Sequence, residues 1–414
     1  MNITKQTAKI ILRAALPLFF GVAFTRSANG QTWENILVYQ LAHGKGAMGS
    51  SLAADALGNV FSGGYGQGAS VNGTSYPQGL VLKTDTTEAD WFLSDDTNPK
   101  PGSYESWVNS LGFDSNGNLY SVGQLWPPGG LPPYWQVRKS SDRGVTWTTV
   151  DLYQYPVSSL DVDPTGFTAD NAGNIYVVGW ANSAGIRHWL VRKSTDGGQT
   201  WDLVDDTTGG NLASQGCFVP GVGLFVVGSQ STALGWTVRR SLDGGATWTT
   251  VDAPFGSGAG AWSIASDSLG NIYVAGSVSV TTITTKPKAT VTYSVWTTRK
   301  STDGGNTWST VDKFTLAQNA SATAHGVGMT AGGGIVVVGQ AMDDGGKHVD
   351  ASTHWMVRTP ASSGVWQTVD DFQLLSGSGA EAWGVVTDAG GNLLVAGQAA
   401  SYPNGLFWVV RKLP

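Results

Sequence analysis

The chain has 414 residues, only 13% of them charged, with a formal net charge of -6, 57 Gly and 18 Trp. An acidic balance without basic runs excludes nucleic acid and anionic polysaccharide as bulk partners. A single cysteine, Cys217, excludes an internal disulfide, and its setting, Gly216-Cys217-Phe218-Val219, reads as an inert buried strand. Val, Thr and Ile runs punctuated by Gly and Asn suit an all-β protein with many tight turns.

The first thirty residues read as an export signal: Lys5, Lys9 and Arg13 precede an apolar run from Ala14 to Phe24, and Ala28-Asn29-Gly30 offers small residues for cleavage. The run is too short to cross a bilayer as a helix, so membrane insertion is not expected. A chain starting at Gln31 loses four basic residues and no acid, moving from -6 to -10. It is expected to be secreted or periplasmic, to fill residues 31–414 with one domain, and to be a monomer.

From residue 31 onward the chain repeats. A segment D-x-x-G-N followed by an apolar strand and glycine runs from Asp55 to Gly63, Asp114 to Gly123, Asp170 to Gly179, Asp267 to Gly276 and Asp388 to Gly397, with weaker copies ending at Gly228 and Gly339. Seven copies spaced by 48 to 63 residues match seven four-stranded units. A third strand, W-x-V-R-K or close to it, starts at Trp135, Trp189, Trp236, Trp296, Trp355 and Trp408. After it comes S-x-D-G-G-x-T-W, best seen from Ser301 to Trp308, a tight hairpin in which Asp bonds the turn backbone and Trp folds back as an apolar plug. Good copies carry Asp142, Asp196, Asp243 and Asp303 with Trp147, Trp201, Trp248 and Trp308; worn copies end at Trp91 and Trp366. The last unit stops at Pro414 before its hairpin, whereas Gln31-Thr32-Trp33 matches Gln199-Thr200-Trp201. The N-terminal strand is therefore expected to complete the C-terminal blade and leave no free edge.

This hairpin resembles the Asp-box, or BNR repeat, of sialidase-like β-propellers. The resemblance implies a seven-bladed propeller of four-stranded antiparallel blades, with the Asp-boxes on the face opposite the usual binding site. Thirteen of the eighteen tryptophans then belong to the scaffold, and Trp107, Trp126, Trp180, Trp262 and Trp383 are left over. The acids four residues after each hairpin Trp (Asp95, Asp151, Asp205, Asp252, Asp312, Asp370) are expected to cap turns or stay solvated.

Aligning the units places Ser50, Asn109, Thr165, Ser214, Trp262, His325 and Trp383 at one level of the innermost strand, with Met48, Glu105, Trp107 and Glu381 beside them. Aromatic rings among amides, hydroxyls and carboxylates suit a sugar; equally, Trp262 and Trp383 could only plug the tunnel. The ligand-binding candidates are Trp107, Asn109, Trp126, Trp262, His325, Glu381 and Trp383. The loop 125–134, rich in Pro and aromatics, would form a wall, and the loop 278–293 an extra hairpin. The loop 343–350 with His354 and His325 matches no metal-ligand spacing, and neither a metal nor a cofactor is expected.

Sialidases, by the resemblance, need three arginines around a carboxylate, a Tyr paired with Glu, an Asp acid and usually an R-I-P motif. R-I-P is absent, and Arg187 alone lies free on a functional loop, which excludes that activity. Other glycosidases need two carboxylates, for which Glu105 and Glu381 are candidates, and a lyase would use His325, His188 or Tyr104. The first reading is a non-catalytic propeller binding an extracellular glycan or protein at its axial face. A carbohydrate-active enzyme and a surface-assembly protein remain alternatives.

Overall fold

The computed structural model describes residues 32–68, 76–84, 90–98, 105–156, 159–208, 211–230, 235–285, 288–343, 352–401 and 404–414. The export segment with Gln31, Tyr104 and residues 344–350 of the charged loop lie outside them. Seven antiparallel sheets form a closed ring, because successive innermost strands pack side by side and the last packs on the first.

Blade 1 consists of Ala47–Ala54, Val60–Gln67, Pro77–Thr84 and Trp91–Asp96, from the axis outward. Blade 2 has a divided inner strand, Glu105–Ser106 and Ser110–Phe113, followed by Leu119–Trp126, Tyr134–Ser140 and Thr148–Tyr153. Blades 3, 4, 5 and 6 begin with Ser159–Ala169, Asn211–Val219, Ala259–Ser266 and Ala322–Met329. In blade 7, Ala380–Thr387, Leu393–Ala400 and Leu406–Leu413 are joined by Glu34–Tyr39, paired antiparallel from Glu34↔Lys412 to Tyr39↔Trp408. The chain thus closes its ring with its N-terminal strand. The loop 278–293 is a hairpin made by its own blade: Ile272–Thr285 and Lys288–Ser301 stay paired out to Thr285↔Lys288.

The local motifs are self-contained hydrogen-bond sets. In the first turn of blade 5, Asp267 Oδ1 accepts from the Leu269 and Asn271 amides, and Oδ2 accepts from Asn271 Nδ2 at 2.6 Å. In the Asp-box, Asp303 Oδ1 accepts from Ser301 Oγ and from the amides of Asn306 and Thr307, while Oδ2 accepts from Thr307 Oγ1 at 2.6 Å. These donors favour the carboxylate and hold Asp142, Asp196, Asp243 and Asp303 down at about 2.

The acids after each hairpin Trp are neither turn caps nor solvated. Each is paired with the arginine of the next blade's third strand, and all but the partly buried Asp151 are buried: Asp95 with Arg138, Asp151 with Arg192, Asp205 with Arg239, Asp252 with Arg299, Asp312 with Arg358 and Asp370 with Arg411. Several of these arginines also stack on the aromatic two residues beyond the acid, as Arg192 on Tyr153, Arg358 on Phe314 and Arg411 on Phe372 at 3.9–4.0 Å. The neighbouring cation points the other way. Lys139 and Lys193 donate to the Asp-box carbonyls of Gly197 and Gly244, and Arg240 to that of Gly304. One Arg-Lys dipeptide therefore joins three successive blades. The seventh interface departs from this rule, since Leu37 takes the acid's register position opposite Val410 and Leu82 takes the arginine's, both within one apolar cluster.

Tryptophans at the start of the third strands are completely buried, whereas several Asp-box tryptophans are only partly so. The Asp-box rings act as staples: Trp201 Nε1 donates to Val150 O and Trp248 Nε1 to Val204 O, each on the outer strand of the preceding blade.

Replacing Asp312 by Ala strands Arg358 without its carboxylate, and urea unfolding should show a loss of about 3–5 kcal/mol. The Asp-box carboxylates have depressed folded pKa values, so their stabilisation is present above the unfolded value, about 4, and is lost as pH falls towards about 2. Near-UV circular dichroism of the Trp bands should accordingly hold above pH 4 and begin to decay below it.

Candidate functional site

Six inner strands carry a one-residue bulge at the same level, seen as register breaks at Gly49/Ser51, Pro164/Gly166, Ala213/Gln215, Ala261/Ser263, Ala324/Gly326 and Ala382/Gly384. The extra residues are Ser50, Thr165, Ser214, Trp262, His325 and Trp383. In blade 2 the strand instead breaks around Trp107, Val108 and Asn109. A bulge sharpens twist and re-aims a side chain, and the six bulge residues together with Asn109 line one axial cavity of about 680 Å³.

The bulge also explains the repeated glycine. A Cβ on Gly276 would lie 2.0 Å from Gly260 O and 2.9 Å from the Trp236 ring; on Gly397 it would lie 2.0 Å from Glu381 O and 2.6 Å from Trp355. In blade 1 this position belongs to Gly64, one residue beyond Gly63, since Gly64 pairs with Gly49 and its Cβ would meet Met48 O at 1.9 Å.

Four ring residues are committed to the next blade. Ser50 donates to Val108 O, Asn109 to Pro164 O at 2.9 Å, Thr165 to Ala213 O at 2.8 Å and His325 Nδ1 to Ala382 O at 3.1 Å. A carbonyl can only accept, so the proton of His325 sits on Nδ1 and Nε2 keeps its lone pair. Burial pushes this imidazole down to about 4, and it stacks on Trp383 with centroids 3.9 Å apart. Trp262 Nε1 reaches only its own blade, at Ser277 Oγ, 3.4 Å away.

The carboxylate in the cavity is Asp163, on blade 3. Its Oδ1 accepts from Asn109 Nδ2 at 2.7 Å, and desolvation, with Asp161 nearby, pushes it up to about 7. Asp161 is also raised by burial and accepts from Gln124 Nε2. The sequence reading passed over Asp163, although a signal existed: it precedes Thr165 by two residues as Glu381 precedes Trp383. Trp180, left over from the scaffold, lines the cavity too, with the Arg187 guanidinium 5.1 Å above its ring.

Glu105 and Glu381 are not brought together there. Glu381 accepts from Gln398 Nε2 at 3.0 Å within blade 7, with its pKa raised by burial, and Glu105 pairs in register with Trp126. Neither lines the cavity, nor do Trp107 and Trp126; the Trp126 indole donates to Gln124 Oε1 at 3.3 Å. His188 and His354 occupy equivalent third-strand positions away from the cavity, each bonded through Nδ1 to an outer-strand acid, Asp206 and Asp371. Among the described residues no His, Cys, Asp and Glu cluster could hold a metal ion. Cys217 packs against the core of blade 4, and burial raises its thiol to about 11.

Fold and cavity define a seven-bladed β-propeller whose blades carry Asp-box hairpins. The family model for the SBBP β-propeller repeat matches residues 158–187, the inner hairpin of blade 3. Among solved structures, the Hadza microbial sialidase Hz136 is 15% identical with a TM-score of 0.51, the match covering 70% of this chain and 63% of the sialidase. A protein of unknown function from Dyadobacter fermentans is 11% identical, also at 0.51, with 96% and 100% covered. An α-L-arabinanase from Penicillium chrysogenum is 12% identical at 0.44, with 76% and 94% covered. The chain thus spans just under two thirds of the sialidase's length. Curated protein sequences give no match.

The two best-placed histidines should titrate apart. Long-range ¹H-¹⁵N spectra should show His325 neutral, protonated on Nδ1, from pH 8 down to about 5. His354, raised mainly by its hydrogen bond to Asp371, should take up its proton at a higher pH than an ordinary histidine.

Proposed function

We propose that the chain is exported, with cleavage near Gly30/Gln31, and that the monomeric propeller binds an extracellular saccharide in its axial cavity without cleaving it. The observation that carries this reading is the make-up of the cavity, in which the rings of Trp180, Trp262 and Trp383 lie among hydroxyls, two amides and, among the described residues, a single carboxyl. Ring faces stack on the C–H groups of a sugar while the polar groups meet its hydroxyls, and about 680 Å³ is a ligand-sized volume. A concave site of this size favours a saccharide over a protein surface. Propeller folds do accommodate sugar chemistry, since one structure of similar fold is a sialidase.

Two observations favour binding over hydrolysis. Asp163 is the lone carboxyl among the described lining residues, whereas glycosidic cleavage of the usual kind needs a pair. Every arginine of the third-strand motif bonds a neighbouring blade, so none is free to clamp a sugar carboxylate.

Purified protein incubated with a broad polysaccharide panel should be retained on at least one member and release no new oligosaccharides by mass spectrometry. Trp262→Ala and Trp383→Ala should each weaken retention about tenfold, the loss of one stacked ring, with the melting temperature monitored alongside. Released products would overturn the non-catalytic reading, and retention unchanged in both variants would overturn the axial site.

A further inference from the structure

We propose that the axial cavity selects uncharged sugars over anionic ones because its described wall carries no cation, with the Asp163 carboxyl donating a hydrogen bond to a sugar oxygen. This rests on the saccharide reading of the same cavity and adds the chemical class of its ligand.

The first ground is an inventory of charge. The described lining contains Ser, Thr, Asn, Gln, Trp and aliphatic residues, one histidine and one aspartate, and neither Lys nor Arg. The cations lie elsewhere for reasons already in the scaffold: six arginines face aspartates of the preceding blade, Lys139, Lys193 and Arg240 bond Asp-box carbonyls, and Arg187 is exposed over Trp180. A sialic acid or uronate would bring its carboxylate into a partly desolvated space without a counter-charge, beside Asp163 and with Asp161 behind it.

The second ground is the geometry of Asp163. Its Oδ1 already accepts from Asn109 Nδ2, which cannot give a proton away, so the acid proton belongs on Oδ2, which has no hydrogen-bond partner among the described residues. Trp180, directly opposite Asp163 in the register of its own blade, offers a ring beside this donor. Asn109 on blade 2 bonds Asp163, and Leu212, Ser214 and Gln215 of blade 4, the next blade round the ring, share the cavity wall with it. Asp161 lies on its own strand, flanked by Gln124 and Arg187, and across the cavity His325 is uncharged. Nothing among these supplies a positive charge to Asp163 directly, and burial holds the acid protonated up to about 7.

Above that pH the carboxylate is ionised in the free protein, and an entering ligand must strip its water while losing a donor. If only the protonated form binds, affinity falls by up to tenfold for each pH unit above the pKa.

Calorimetry on the full protein would compare neutral probes (lactose, β-galacto-oligosaccharides, arabino-oligosaccharides and xylo-oligosaccharides) with anionic ones (sialyllactose and oligogalacturonates). Binding of at least one neutral probe, no detectable binding of the anionic ones, and a decline in affinity between pH 7 and 9 would bear the proposal out. Asp163→Asn keeps the shape and the Asn109 contact, and should bind at pH 6 within a few-fold of the parent while losing the decline. The parent's own pH profile stands as a readout should that variant fold poorly. Anionic probes binding as tightly as neutral ones, or an affinity flat to pH 9 in the parent, would overturn this proposal and leave the saccharide reading standing. Binding of no probe of either class would overturn both.

Discussion

Six of the seven interfaces between blades rest on the same contact, an arginine on the third strand of one blade reaching an aspartate on the outer strand of the blade before it. Such a pair gives little net stability over an apolar one, because both charges must be desolvated. What it gives is registry. A planar guanidinium that must satisfy a carboxylate with two hydrogen bonds, as Arg358 does with Asp312, tolerates one position of its neighbour. The aromatic stacked against several of these guanidinia and the adjacent lysine, bonded to the next Asp-box, narrow that choice further. In a ring of seven near-identical sheets, where sliding by one residue would flip every side chain, this specificity is what the repeat requires.

The seam shows the same logic from its exception. Glu34–Tyr39 is covalently distant from the blade it completes, and it meets blade 1 through Leu37 and Leu82 where other interfaces have an acid and an arginine. An ion pair is penalised while either partner waits alone in an apolar setting, whereas an apolar contact is not directional. A closing strand that arrives from the far end of the chain can therefore dock without first stranding a charge. Its registry comes instead from blades 7 and 6: Arg411 also donates to Asn35 Oδ1, and the Trp33 indole donates to Val369 O on blade 6.

The architecture was legible because it is periodic. Seven glycines, the W-x-V-R-K strands and the Asp-boxes give blade number, strand order and the closing strand by simple alignment. The fate of the acids after each hairpin was not, because their partners lie 34 to 47 residues away on the next blade, and nothing local distinguishes a buried Asp312 from a solvated one. The ring of axial residues followed from alignment too, but its use did not. Glu381 and Asp163 hold equivalent positions in blades 7 and 3; the first is satisfied by Gln398 in its own blade and the second reaches the cavity, a difference made by cross-strand neighbours.

The bulge ties scaffold and site together. By adding one residue opposite the repeated glycine, it removes that residue from the ladder and turns it to the axis, so its identity is free of the packing that fixes its neighbours. The seven positions have used this freedom unequally. On blades 1, 2, 3 and 6 the residue is polar and bonds the next blade, which ties much of the tunnel wall together. On blades 4, 5 and 7 Ser214, Trp262 and Trp383 make no such bond, and Trp383 is held instead by the His325 ring stacked on it. One arc of the cavity is thus committed to holding the ring, and the other presents aromatic faces to whatever enters. Because the third-strand arginines are spent on neighbouring blades, the described wall of the cavity carries hydrogen-bonding groups and ring faces and neither Lys nor Arg.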